Sequence, residues 1–146
     1  MIFRSARTRY TLGGLVGLTL LCGSLSTSAQ ELIAHKSAGT DLLTRNEARL
    51  FFTMRLKNWP NGTLVKVFVL PDNHELHARF ATELLGLYPY QLKRVWDRQL
   101  FSGTGQAPIT VQNERELIDR VATTPGAVGY SSGPVEDPNV TVVEVR

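Results

Sequence analysis

The sequence predicts an α/β fold, a sheet layered by helices. Three observations carry that prediction. Apolar runs of strand length alternate with segments of helical spacing from Glu31 to the end of the chain. Turn-forming clusters separate them at Asn58–Gly62, Pro71–Asn73 and Thr124–Gly126. Finally, 146 residues with 42% hydrophobic and 20% charged side chains suffice for one buried core and exclude a mainly disordered chain.

The elements follow in order. Glu31 to His35 is a short apolar strand, and Lys36 to Asp41 a polar loop. Thr44 and Glu47 form a capping-box pattern opening a helix to about Met54, with Ala48, Phe51 and Phe52 facing inward. Thr63 to Leu70 is almost continuously apolar and reads as a buried strand. Pro71-Asp72-Asn73 ends it and caps the next helix, whose Leu76, Phe80, Leu84 and Leu85 recur at helical spacing as far as Gly86. A further helix spans Tyr90 to about Leu100, with Leu92, Val95 and Trp96 on its apolar stripe. A Gly-rich loop covers Phe101 to Pro108. Asn113 caps a helix carrying Leu117, Ile118 and Val121. Ala127 to Tyr130 and Val140 to Val145 complete the strands. No repeat or linker divides residues 30–146, which are expected to form one domain.

Residues 1–29 have the layout of a secretory signal peptide. Arg4, Arg7 and Arg9 precede an uncharged, largely apolar run from Thr11 to Cys22, and Thr27-Ser28-Ala29 fits small-residue cleavage. Alternatives are an uncleaved anchor and a lipoprotein lipidated at Cys22. The apolar run is short of the ~20 residues of a bilayer span, and Leu21 stands where lipoprotein signals prefer a small residue. Cleavage would remove three of the 16 basic residues, none of the 13 acidic ones and the single cysteine. The net charge of +3 would fall to zero, which argues against nucleic acid as a partner. The expected destination is the periplasm.

Several segments in one order resemble a known family. They are Leu43-Thr44-Arg45-Asn46-Glu47 running into Phe51-Phe52, Asn58-Trp59-Pro60-Asn61-Gly62, the strand into Leu70-Pro71, the helix with Phe80, Trp96 to Gly103, and Thr124-Pro125-Gly126-Ala127-Val128-Gly129-Tyr130. Together they resemble the substrate-binding proteins of phosphate-type ABC transporters. That resemblance implies a type II periplasmic-binding-protein-like fold, a mixed sheet flanked by helices. Whole proteins of that kind have two lobes, and the length here leaves room for one.

The resemblance also implies a small oxyanion such as phosphate as ligand, and a membrane transporter or a sensory protein as partner. Homodimerisation would supply a missing cleft wall. Family members place a Ser-Gly-Thr at a helix start, with an arginine just before it. With Phe80 aligned, the matching segment is His74-Glu75-Leu76, with Asn73 ahead and Leu70 near the arginine's place. The hydroxyl donors and the cation are therefore replaced, and Glu75 repels an anion.

The candidate ligand residues are Ser37, Gly39, Thr40, Asn73, His74 and Ser131. Ser37, Gly39 and Thr40 could cradle an oxyanion with hydroxyl and backbone N–H groups after the first strand, where ligands commonly sit in open α/β sheets. Asn73 and His74 offer the N–H groups of a helix start, and Ser131 follows the Gly-Tyr strand. Ser102 to Gly105 has similar chemistry but lacks the P-loop ending. His74 and His77 are one turn apart, without an evident third metal ligand, and are expected to be exposed. Trp59 and Trp96 are expected to be packing anchors. No catalytic constellation, cofactor motif or metal motif is present, so binding rather than catalysis is expected. The alternative is a ligand-free interaction or sensory protein that keeps the fold.

Overall fold

The computed structural model describes residues 29–103 and 105–146. The expected signal peptide lies outside the described residues except for Ala29, as does Thr104 of the Gly-rich loop. Six strands form one mixed sheet: β1 (Glu31–His35), β2 (Leu42–Leu43), β3 (Lys66–Val69), β4 (Ile109–Thr110), β5 (Ala127–Ser131) and β6 (Val140–Val145). Their order across the sheet is β2-β6-β1-β5-β3-β4. Among the described residues four α-helices accompany them, α1 (Arg45–Phe52), α2 (Glu75–Arg79), α3 (Pro89–Phe101) and α4 (Glu114–Thr123), with a 3-10 turn at Lys36–Ala38. A π-helical segment, Phe80–Leu85, continues α2. Among the described residues no helix is long and apolar enough to cross a membrane.

The central strands β1 and β5 are antiparallel, with Glu31 opposite Ser131 and Ala34 opposite Val128. β3 runs parallel to β5, with Val67 beside Val128. Side chains alternate between faces along a strand. Gly129 therefore turns towards α4, where an added Cβ would lie 2.5 Å from Leu117 Cδ2. Tyr130 turns to the other face, stacked on Phe80 with centroids 4.0 Å apart. Phe52 meets Phe80 edge-on at 4.7 Å. Both faces of β5 are covered, and all its residues are buried.

Local chemistry explains the helix starts. The Thr44 hydroxyl accepts the Glu47 N–H, and the Glu47 carboxylate accepts the Thr44 N–H at 2.7 Å, so the expected capping box is present. That backbone hydrogen bond, seconded by the Thr44 hydroxyl, holds the Glu47 carboxyl below its ordinary range. Asn113 caps α4 by accepting the Glu116 N–H.

Four expectations need correction. The cap of α2 is His74, whose Nδ1 accepts the Leu76 N–H, and not Asn73. Helical hydrogen bonding from Leu76 to Gly86 is not uniform, because the last turns widen to π geometry. There Gly86 closes the segment at φ 67°, and Arg49 Nε donates to the Leu85 carbonyl. The strand over Thr63–Leu70 is regular only from Lys66 to Val69. His77, expected to be exposed, is fully buried.

Candidate functional site

The six candidate residues fall into two groups at opposite ends of the sheet. β1 runs against β5, so the exit of β1 lies beside the start of β5. β3 runs with β5, so both exit at the other end. Ser37, Gly39 and Thr40 therefore cluster near Gly126. Asn73 and His74 share the opposite end with Ser131. The five residues of β5 separate the groups by roughly 15 Å at about 3.3 Å per residue.

The Gly126 end is a closed knot. Ser37 Oγ accepts the Gly126 N–H at 2.8 Å and sits 2.8 Å from His35 Nδ1. Trp59 Nε1 donates to the Gly126 carbonyl at 3.0 Å, and so does the Lys66 N–H. Asn61 Nδ2 donates to the Ser37 carbonyl, and Asn61 Oδ1 accepts the Thr63 N–H. Gly39 has φ 69°, and its Cβ position lies 2.9 Å from Asn61 Nδ2. Thr40 Oγ1 donates to the Leu42 carbonyl. Gly126 itself has φ 77°, and a Cβ there would stand 1.9 Å from the Leu64 carbonyl oxygen. Donors that could have cradled an oxyanion are thus committed to holding the loops. Burial, and then the Lys36 charge, keep the His35 pKa below its ordinary value, so the ring is neutral at pH 7.

The opposite end is built differently. Asn73 is exposed and His74 half-buried. Ser131 is fully buried, and its hydroxyl donates to the Gly133 carbonyl at 2.7 Å. Its neighbour Ser132, which follows the same Gly-Tyr strand, is held by a carboxylate. The Ser132 N–H and Oγ both donate to Glu114 Oε1, at 2.6 and 2.8 Å. That pair spans 18 residues, so no local pattern announces it.

Beneath this end lies a buried polar relay. The Leu70 N–H donates to Tyr130 Oη at 2.8 Å, and Tyr130 Oη is 2.5 Å from His77 Nδ1. An Nδ1–H would leave the buried phenolic O–H without an acceptor, whereas O–H to Nδ1 gives both groups a partner; His77 is then neutral with its hydrogen on Nε2. Nε2 is buried without a hydrogen-bond partner, and Asp72 Oδ1 is 3.9 Å away. Burial lowers the His77 pKa; Asp72 opposes this and His74 adds to it. Burial also pushes the Tyr130 phenol far above its ordinary value. A signal for this burial existed: His77 stands three and four residues before Phe80 and Ala81, on the inward stripe. Among the described residues no group of three or more His, Cys, Asp or Glu side chains is placed to hold a metal ion.

Clefts lie elsewhere among the described residues. One, of about 560 Å³, is lined by Glu31, Asp41, Arg45, Glu83 and Glu144 among others. Another, of about 500 Å³, lies by Met54, Leu56, Leu64 and Lys66. Neither includes any of the six candidates. Trp59 and Trp96 are both buried, Trp96 Nε1 donating to the Phe52 carbonyl at 2.8 Å.

This architecture is similar to that of solved phosphate-transport proteins. A Clostridium perfringens protein described as a phosphate ABC transporter substrate-binding protein, solved with bound phosphate, matches with a TM-score of 0.61 and 21% identity over 80% of this chain and 44% of its own. An ABC-type phosphate transport receptor from Vibrio cholerae matches at 0.58 and 14% identity, covering 82% of this chain and 48% of that one. PstS from Borrelia burgdorferi matches at 0.57 and 13%, covering 80% and 47%. The chain spans less than half the length of these proteins. No protein-family model and no curated sequence matches it. The chain therefore shares its fold, a mixed sheet flanked by helices, with part of these phosphate-transport proteins.

Proposed function

We propose that the protein is an exported, periplasmic solute-binding-like module of ABC-type transport or sensing, with residues 30–146 as its domain. It contacts a small oxyanion such as phosphate weakly through Asn73 and His74, at the end of the sheet where the Ser131 and Ser132 donors are already taken by Gly133 and Glu114. The likeness of its fold to three phosphate-transport proteins carries this reading. The choice of end rests on chemistry. At the Gly126 end the donors are spent on the knot. At the other end an exposed asparagine and a half-buried imidazole stand at a strand exit, where open α/β sheets receive ligands. Weakness follows from charge, because Asp72 and Glu75 are exposed beside His74 and no fixed cation replaces the arginine of the family pattern. Calorimetry on the purified protein with phosphate and sulfate tests the reading. Millimolar affinity is expected; the absence of both heat and thermal shift at that concentration would refute it.

One observation favours a second reading. Glu114 already supplies Ser132 with an internal anion. A lobe so arranged suits an interaction or sensory protein that keeps the fold without the ligand. Capture of a discrete periplasmic partner, lost on altering this end of the sheet, would support it. A co-purifying small molecule with no protein partner would oppose it.

A further inference from the structure

We propose that His77 is an acid-responsive latch on the Pro71–His74 turn. The turn follows directly from Leu70, and Leu70 is tied down through its N–H to Tyr130 Oη. Tyr130 is oriented in turn by His77 Nδ1. The relay works only while Nδ1 carries no proton, because Nδ1 must accept from the phenol. On the ring's other side, a buried N–H with no acceptor lies 3.9 Å from a carboxylate that is half exposed and free to swing. An unmet buried donor is costly, so the arrangement is held at the edge of a second one.

Protonation of the ring changes both sides at once. Nδ1 becomes a donor, and the Tyr130 proton loses its acceptor inside the core. Nε2–H becomes part of a cation and draws Asp72 inward. The Leu70 tie slackens while the Pro71–His74 turn is pulled towards the core. The ionisable groups acting on His77 are Asp72 from the turn, His74 one helical turn back and Tyr130 from β5. From α3 it meets the uncharged Trp96 ring at 6.3 Å. Burial keeps the ring neutral at pH 7, so the change falls below about pH 6.5, the ordinary histidine value. If this end of the sheet receives an oxyanion, as proposed above, acid strengthens binding by withdrawing the Asp72 charge and adding one positive charge beneath it.

The test is a nitrogen-detected NMR titration of the histidines, with native-state amide exchange corrected for intrinsic pH dependence. His77 is expected in its Nε2–H form at pH 7 and to become imidazolium with a midpoint below 6.5. Across that midpoint Leu70 exchange is expected to rise at least tenfold more than that of Ile33 and Val128, which report the acid loss of global stability alone. Asp72→Asn should lower the midpoint further. His77→Gln, whose amide oxygen accepts from Tyr130 without titrating, should leave Leu70 exchange slow at both pH values. A midpoint at or above 6.5, Leu70 exchange that ignores the titration, or a rise shared equally by Ile33 and Val128 would each overturn the latch. Sulfate, whose charge is constant over this range, probes the coupling separately. A latch that titrates as described while sulfate affinity stays the same at pH 5 and pH 7 would refute only the placement of the ligand.

Discussion

At the Gly126 end of the sheet, the Ser37 hydroxyl, the Trp59 indole and the Asn61 amide are all hydrogen-bonded to the protein's own backbone. At the Pro71–Ser131 end a buried imidazole N–H has no acceptor, and Asp72 and Glu75 stand in solvent. Of the segments that carry the resemblance, Asn58–Gly62 and Thr124–Gly126 meet at the first of these ends through Trp59 and Gly126, while Tyr130 reaches the second. They maintain the fold. The departures from the family pattern, at Leu70 and His74–Leu76, fall at the second end, where a ligand would be met. The hydrogen bonds that hold the fold and the departures from the resembled pattern thus lie at opposite ends of the sheet, and likeness of fold does not carry likeness of ligand.

The sharpest way to break the comparison is Gly126→Ala. The left-handed backbone and the 1.9 Å approach to the Leu64 carbonyl leave no room for a methyl group. A loss of about 4 kcal/mol is expected in urea unfolding, against less than ~0.5 kcal/mol for Asn73→Ala at the exposed turn. Tyr130→Phe follows in size. It leaves the buried Leu70 N–H without an acceptor and His77 Nδ1 without a donor, and is expected to cost about 2 kcal/mol. Ser37→Ala removes the acceptor of a part-buried Gly126 N–H, and about 1 kcal/mol is expected.

Acid sharpens the contrast without any change at the knot. The folded pKa values of His35 and His77 both lie below the unfolded value near 6.5. The unfolded chain then binds more protons between the folded and unfolded values. Stability is complete above about pH 6.5 and falls as pH drops through that window. Thermal unfolding at pH 7 and pH 5 should show the loss, and His77→Gln should remove the part belonging to the relay.

Much of the fold could be read from local sequence. The Thr44 and Asn113 caps and the stripes of α3 and α4 have short-range signals and stand where expected, and the valine-rich strand before Pro71 exists but is shorter, Lys66–Val69. What was missed depends on distant partners. β2 and β4 have two residues each and exist only because β6 and β3 offer them hydrogen bonds. The division of the candidate residues depends on the antiparallel pairing of β1 with β5. In an all-parallel sheet the loop after the first strand would join the other strand exits. Here it lies at the opposite end. His77 carried a burial signal in its spacing from Phe80, yet its partner Tyr130 is 53 residues away.

An amide NMR titration with sulfate tests the division of the two ends most directly. Shifts that saturate at millimolar sulfate are expected at Asn73 and His74, with Ser37, Gly39 and Gly126 unmoved. Saturable shifts at Ser37, Gly39 and Gly126, with Asn73 and His74 silent, would contradict the account.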